Sequence, residues 1–301
     1  MVTIRIRDVG PRDGLQSEAP LPPERRAELA LSLAAAGLRD IEAASFVSPK
    51  AVPSMAGAGA VMETVAAQAA DVRWWALVPN ARGVELARQA GVDHLTVTIS
   101  ASEGYSRKNV GRSTVEAVES LADIAAAASG VAAVDVIVSC AFGSPFHDVN
   151  DPAPTVEIVE RALAVMPSAA ITLADTTGTA TPRRVGQVLD ALPNPARADV
   201  GLHLHDTRGT ALANALSAIE RGVTRFDTAV GGLGGSPFAP GAGGNLATED
   251  LVLVVDDLGH TTGIDLDDVL AISRSLPELV GHEVPSRVSA AGSLPEFGAA
   301  R

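Results

Sequence analysis

From the first residues to about position 260, short runs of β-branched and aliphatic residues alternate with longer stretches whose apolar positions recur every three or four residues. The short runs read as strands: TIRIRDV, RDIEAASF, VRWWALV, HLTVTIS, VDVIVSCAF, AITLADT, DVGLHLHD and RFDTAV. Between and after them lie helix-like segments such as PPERRAELALSLAAAG, NARGVELARQAG, STVEAVESLADIAAAAS, PTVEIVERALAVM, TALANALSAIERG and EDLVLVVDDLG. Several open on Pro, Asn, Ser or Thr and close on Gly, the usual punctuation of helix ends. Eight βα units in this length have the size and rhythm of a closed (β/α)8 TIM barrel. The rival is an open doubly wound sheet, but no GxGxxG joins the first strand to its helix and no GxxxxGK[ST] occurs. Residues 1–260 are therefore expected to form the barrel. Residues 261–301 should add a short C-terminal helical extension packed on it, with DLDDVLAISRSLPELVG helical and the tail SAAGSLPEFGAAR loosely ordered.

Composition narrows the function classes. Hydrophobic residues make up 47% of the 301 residues but aromatic ones only 3%, which suits helices packed on buried parallel strands. The net charge of −13 lacks the basic footprint that nucleic acid or an anionic membrane requires, so the expected partner is a small molecule met by local positive charge. Cys140 is the only cysteine, which excludes an intrachain disulfide and a zinc–thiolate cluster and fits a reducing compartment. No signal-like apolar stretch opens the chain and no apolar run of about 18 residues crosses it, so a cytoplasmic protein is expected. Alanine-rich outer helices offer a face for a homodimer, though helix-to-barrel packing uses the same composition.

In a barrel the active site gathers at the C-terminal ends of the strands. Those ends carry Arg12 and Asp13, Glu42 and Ser45, Asn80, Ser100 and Ser102, Ser139 and Cys140, Asp175 and Thr176, and His203 and His205, followed by the stretch GGLGGSPFAPGAGGN from Gly231 to Asn245. The strongest local signal is LHLHD. Residues two apart on a strand share a face, so Leu202 and Leu204 facing the helices would send both imidazoles into the mouth. With Asp13, and the Asn245 amide oxygen as a further donor, they form a mixed nitrogen and oxygen set suited to Mg²⁺ or Mn²⁺ and less to Zn²⁺.

Arg12 can stabilise a developing enolate oxygen with its permanently charged fork of donors. Glu42 either orients Arg12 or a metal-bound water, or pairs with a neighbouring strand's basic residue. Asp175 and the hydroxyl of Ser236 in the glycine stretch complete the catalytic candidates. The segment SASEGYSRKNVGRS is read as a local basic loop, in which Arg107 and Lys108 either meet coenzyme phosphates or are merely solvated. Cys140 is read as a packing residue.

Together these motifs resemble the 3-hydroxy-3-methylglutaryl-CoA lyases, a family of metal-dependent TIM-barrel carbon–carbon lyases. The stretches that carry the resemblance run in order from about residue 8 to residue 258: VGPRDGLQSE, IEAASFVSPKAVPSM, LVPNARGVELARQAG, ASEGYSRKNV, VSCAFGSPF, LADTTGTATP, GLHLHDTRGTALANAL and GGLGGSPFAPGAGGNLATEDLV. The resemblance implies that Asp13, His203, His205 and Asn245 ligate Mg²⁺ or Mn²⁺, that Arg12 stabilises the enolate of the departing acetyl thioester, and that Glu42 supports the site. It further implies an acyl-CoA substrate cleaved to acetyl-CoA and acetoacetate, and a role in leucine degradation. The glycine stretch corresponds to the family's mobile flap, which usually reads GGLGGCPYA; here Ser236 replaces the cysteine that takes part in proton transfer. A serine hydroxyl is far less acidic than a thiol of pKa about 8.5 and is the poorer proton donor. Three readings follow: a slow lyase, a lyase for another 3-hydroxyacyl-CoA, or a binding homologue with little catalysis. Arg208 in HDTRG is a second departure. The Claisen-type condensing enzymes share the metal motif, but the chain beyond the barrel is short for their additional C-terminal domains.

Overall fold

The computed structural model describes residues 1–194, 199–235 and 243–294. Its centre is a closed, all-parallel barrel of eight strands in sequence order: β1 (Arg5–Asp8), β2 (Asp40–Ser45), β3 (Arg73–Leu77), β4 (His94–Ser100), β5 (Ala133–Ser139), β6 (Ala170–Asp175), β7 (Val200–Leu204) and β8 (Arg225–Thr228). Strand β8 pairs back onto β1, with Arg7 opposite Asp227. The chain is thus a (β/α)8 TIM barrel.

Strand register divides the residues between two environments. Ile6, Phe226, Leu202 and Leu173 lie in one paired row across β1, β8, β7 and β6, and all are buried in the core shared with the helices. Such side chains each contribute about 1.5–3 kcal/mol of burial. The alternate, inward-facing positions carry Arg7, Asp227 and His203 in one row and Thr172 and Asp135 nearby, and these side chains bond to one another inside the barrel. The lumen is therefore polar and charged, where Val, Ile and Leu usually dominate.

Helices begin where the sequence supplies caps. Asn80 accepts from the Gly83 amide, Thr181 from Arg184 and Asp265 from Asp268, each opening a helix. The segment expected as one helix from residue 113 breaks at Ser120 into Thr114–Glu119 and Leu121–Ala127; its start is a capping box between Ser113 and Glu116. The expected basic loop is instead largely a helix, Glu103–Val110, capped by Ser102. Its sparse apolar periodicity hid it, since only Tyr105 and Ser106 are buried.

After β8 the helix Thr248–Asp257 completes the ring, and Leu266–Val280 packs beside it. Ser273 on the latter helix donates to Glu249 at 2.5 Å, and the Ser286 amide donates to the Gly231 carbonyl at 3.1 Å. The C-terminal segment thereby supports the base of the glycine stretch. The end of the expected loose tail, residues 295–301, lies outside the described residues, as does Ser236. Among the described residues no helix is long and apolar enough to cross a membrane.

Candidate functional site

The segment GPRDG does not simply leave β1 as a loop. Gly10–Gly14 winds into a π-helical turn, with the amides of Arg12, Asp13 and Gly14 all directed at the Val9 carbonyl, at 3.1, 2.7 and 3.1 Å. Pro11 brings no amide that needs a partner here. Buried Asp8 anchors the turn: its carboxylate accepts from the Gly10 amide at 2.7 Å, the Val230 amide at 3.0 Å and the Thr248 hydroxyl at 2.6 Å. Burial outweighs those donors and pushes Asp8 up to about 7. The turn and the start of the glycine stretch are consequently held by one carboxyl group, and Arg12 and Asp13 stand at the barrel mouth.

Across the mouth, β7 delivers the two histidines. Leu202 and Leu204 are fully buried in the outer core, while His203 and His205 face inward with Nε2 atoms 3.1 Å apart. His203 Nε2 lies 3.9 Å from Asp13 Oδ2, and single ligand atoms of Asp13, His203 and His205 all fall within 4.8 Å of one another. Residues 244–247 are sewn between β7 and β8 by Asp206 N donating to Gly244 O at 2.9 Å, Leu246 N to Leu204 O at 2.8 Å and Ala229 N to Leu246 O at 3.0 Å. This pairing brings Asn245 to the cluster, where its Nδ2 donates to Asp13 Oδ2 at 2.9 Å and to Leu233 O at 2.8 Å. Glycine is required here by close approach: a Cβ on Gly244 would fall 1.6 Å from the Gly232 carbonyl oxygen, and Gly234, at φ +101°, would drive one to 2.6 Å from Asn245 Nδ2.

The donor set fits a divalent cation. Without an ion, the contact between the two imidazole nitrogens needs a proton between them; a cation takes that place. Two ligands set at right angles about 2.1 Å from one octahedral ion lie about 3.0 Å apart, close to the spacing of the nitrogens. The Asn245 Oδ1 atom is buried with no hydrogen-bond partner among the described residues, as expected of an oxygen kept for another ligand.

Charge and burial favour the deprotonated forms of Asp13 and His205 but not of His203. Burial would raise the Asp13 carboxyl, but Arg12, both histidines and the Asn245 amide hold it down at about 2. His205 is depressed to about 4 by burial and by the neighbouring His203. Burial also works against the charged form of His203, but Asp227 and Asp13 outweigh it and raise its pKa.

Arg12 sits against this cluster. Its Nη1 donates to Asp13 Oδ1 at 2.6 Å, and its Nε donates to Glu42 Oε2, whose other oxygen accepts from the Thr96 hydroxyl. Glu42 on β2 is fully buried, and its basic partner is Arg12. Beyond these hydrogen bonds Arg12 feels the charge of Asp227, and its Nη2 is left without a hydrogen-bond partner among the described residues.

The remaining expected residues lie elsewhere. Asp175 Oδ1 accepts from the amides of Thr179 at 2.7 Å and Ala180 at 3.0 Å and so ties the loop after β6, while Oδ2 is buried without a partner among the described residues. Burial raises this carboxyl to about 6, and no described contact joins it to the metal-type cluster. Arg107 and Lys108 are exposed on the helix beyond β4, with Arg107 paired to Glu103 at 2.7 Å. Cys140 is buried, and burial pushes its thiol up to about 12, in accord with packing rather than reactivity. Arg208 donates to the carbonyls of Thr177 at 3.2 Å and Gly178 at 2.6 Å, bracing the neighbouring loop.

Sequence reasoning missed Arg7, Thr96, Asp135 and Asp227. Arg7 grips Asp227 through Nε and Nη2, both at 2.9 Å, and Asp227 Oδ2 lies 3.3 Å from His203 Nδ1. The signal was present in RFDTAV, where Phe226 outward implies Asp227 inward, by the alternation that placed the histidines.

A family model described as HMGL-like matches residues 3–276. A (R)-citramalyl-CoA lyase of Chloroflexus aurantiacus is 41% identical, covering 98% of this chain and 96% of that protein. A hydroxymethylglutaryl-CoA lyase of Pseudomonas mevalonii is 39% identical, with 97% of each covered. Among solved structures, an HMG-CoA lyase from Acinetobacter baumannii in complex with coenzyme A and 3-methylmalate superposes with a TM-score of 0.90 at 37% identity, covering 99% of this chain and 98% of that one.

Proposed function

This chain belongs to the HMGL-like family and is an acyl-CoA carbon–carbon lyase, and from that premise we propose that it uses a divalent cation, Mg²⁺ or Mn²⁺, to cleave 3-hydroxy-3-methylglutaryl-CoA or a near relative. The observation that carries the reading is the convergence of Asp13, His203 and His205 on one point beside Arg12. Asp13, His203, His205 and Asn245 would hold the cation, which when bound supplies Lewis-acid polarisation of the substrate's oxygens.

The chain's own groups account for the rest. In the reaction the tertiary hydroxyl loses its proton, the C2–C3 bond breaks, C3 becomes a ketone, and the thioester leaves as an enolate that takes up a proton. Arg12 is fixed by Glu42 and Asp13 before substrate arrives, so its remaining N–H donors meet the charge that develops on the thioester oxygen without reorganising. Ser236 and Asp175 are proposed to move protons at the two ends of the broken bond, and Arg107 and Lys108 to meet coenzyme phosphates.

A second substrate is favoured by the Chloroflexus relative. In citramalyl-CoA the carboxylate sits directly on the carbinol carbon, one methylene closer than in 3-hydroxy-3-methylglutaryl-CoA, and cleavage gives pyruvate in place of acetoacetate. The deciding experiment measures acetyl-CoA, acetoacetate and pyruvate from both thioesters, with Mg²⁺, with Mn²⁺ and with a chelator. Metal-dependent release of acetyl-CoA, lost in His203→Ala and His205→Ala variants that remain folded, is the expected result. Turnover unchanged by those variants overturns the metal-centre reading.

A further inference from the structure

The two histidines differ in what stands behind them. His203 donates from Nδ1 toward Asp227 Oδ2 at 3.3 Å, which leaves Nε2 with its lone pair turned to the cluster. Behind His205 stands no carboxylate: its Nδ1 makes no well-formed hydrogen bond among the described residues, and only the Thr176 backbone interacts with the ring there. Asp227 is itself held: Arg7 donates to its two oxygens at 2.9 Å each, and Arg7 Nη2 also contacts Asp135 Oδ2 at 2.9 Å. Asp135 accepts from Thr172 at 2.8 Å, and the Arg7 guanidinium lies 4.8 Å from the centre of the Trp75 ring. Strands β1, β3, β5, β6 and β8 thus contribute to one buried chain of contacts ending on His203.

Packing alone does not fix Asp227 from below. A cavity of about 240 Å³ opens at the barrel's other end, and Arg7, Trp75 and Asp227 are among its lining residues. The carboxylate owes its orientation to the planar fork of Arg7, which meets a carboxylate in a fixed geometry that a lysine ammonium cannot reproduce.

We propose that Asp227, clamped by Arg7, is the positioning residue of the cation site: it sets the tautomer and ring angle of His203 so that Nε2 is presented bare to the ion. This rests on the cation reading above, and the two can fail separately. Outer partners of this kind typically change metal affinity by about 10- to 100-fold.

The test measures Mn²⁺ affinity of the full-length protein by isothermal titration, together with the visible spectrum of the Co²⁺-loaded protein and the Tm of the metal-free form. Wild type is expected to bind one Mn²⁺ and His203→Ala to lose it; failure of the wild type to bind removes the cation reading and this proposal with it. Given wild-type binding, Asp227→Asn is expected to weaken Mn²⁺ by about 10- to 100-fold and shift the Co²⁺ bands. Arg7→Lys keeps the charge but loses the fork, and it should weaken binding to a smaller extent. Asp227→Glu should recover part of the affinity. If Asp227→Asn or Arg7→Lys lowers Tm while Mn²⁺ affinity and the Co²⁺ spectrum match wild type, the network is only structural and the proposal falls. If Asp227→Asn does not fold, the Arg7→Lys result decides by the same two readouts.

Discussion

Glu42→Ala is expected to damage both stability and catalysis, for one physical reason. The side chain of Glu42 is completely buried and that of Arg12 is 7% exposed, so the pair has almost no water to fall back on. Removing the carboxylate leaves a buried guanidinium with Asp13 as its only remaining described partner and strips the Thr96 hydroxyl of its acceptor. Breaking such a pair from one side costs about 3–5 kcal/mol. At about 2–4 °C per kcal/mol for a large domain, Tm should fall by roughly 10 °C. Catalysis should suffer because Arg12, no longer drawn toward β2, turns to Asp13 alone and leaves the position from which it is proposed to meet the substrate. Loss of one preorganised donor typically costs about 10²- to 10³-fold in rate. Glu42→Gln separates charge from hydrogen bonding, since its amide oxygen can accept from Arg12 while its amide nitrogen donates to Thr96. It should lose about 1.5–3 kcal/mol and roughly tenfold in kcat/KM. Differential scanning calorimetry and steady-state kinetics on both variants check the ranking. An alanine variant with wild-type Tm and kcat/KM would show that Asp13 alone suffices to hold Arg12 and would refute the reasoning.

Asp8 offers a test of pH linkage: its folded pKa of about 7 lies above the ordinary carboxylate value, so its contribution to stability is present below about pH 4 and is lost as pH rises toward 7. The Tm of Asp8→Asn, followed between pH 4 and 8, should therefore decline less over that window than the wild-type Tm; parallel curves would contradict a raised Asp8. Cys140, buried and with its thiol pushed up to about 12, should resist alkylation at pH 8 until the chain is denatured. Rapid labelling of the native protein, counted by mass spectrometry, would show that reading to be wrong. Ser236→Cys is expected to raise the cleavage rate near neutral pH, because a thiol is the better proton donor; an unchanged rate in single-turnover measurements would assign the proton to another group.

Much of the site was legible because strand alternation is a strict rule. Once DVGLHLHD was read as a strand, Leu202 and Leu204 outward fixed His203 and His205 inward, and barrel topology then brought Asp13 from the first loop. The same rule would have found Asp227 and Arg7. Neither residue stands out in the sequence, because barrel interiors are usually apolar and partners 220 positions apart leave no local trace. The helix Glu103–Val110 escaped for a different reason: it buries only Tyr105 and Ser106, so hydrophobic periodicity had little to register. The π-helical turn of Gly10–Gly14 depends on three amides sharing one carbonyl, a pattern that no residue type announces. The partner of Glu42 stayed open in the sequence because nothing local links residues 30 positions apart, and only the fold identifies that partner as Arg12.

The stitching around Asn245 has a consequence for how such a protein can diversify. Leu233 and Asn245 are fastened to each other through the Asn245 backbone amide at 3.3 Å and its side-chain Nδ2 at 2.8 Å, and residues 244–247 are bound into the barrel rim. The ends of the intervening stretch are thus brought together by bonds that require glycine at 234 and 244 and involve no other residue between them. Once the ends are joined, doubling the length of a loop adds only about 0.6 kcal/mol of closure entropy. Provided Gly234 and Gly244 are kept, residues between those ends can be exchanged or added while Asp13 and the two histidines keep their places.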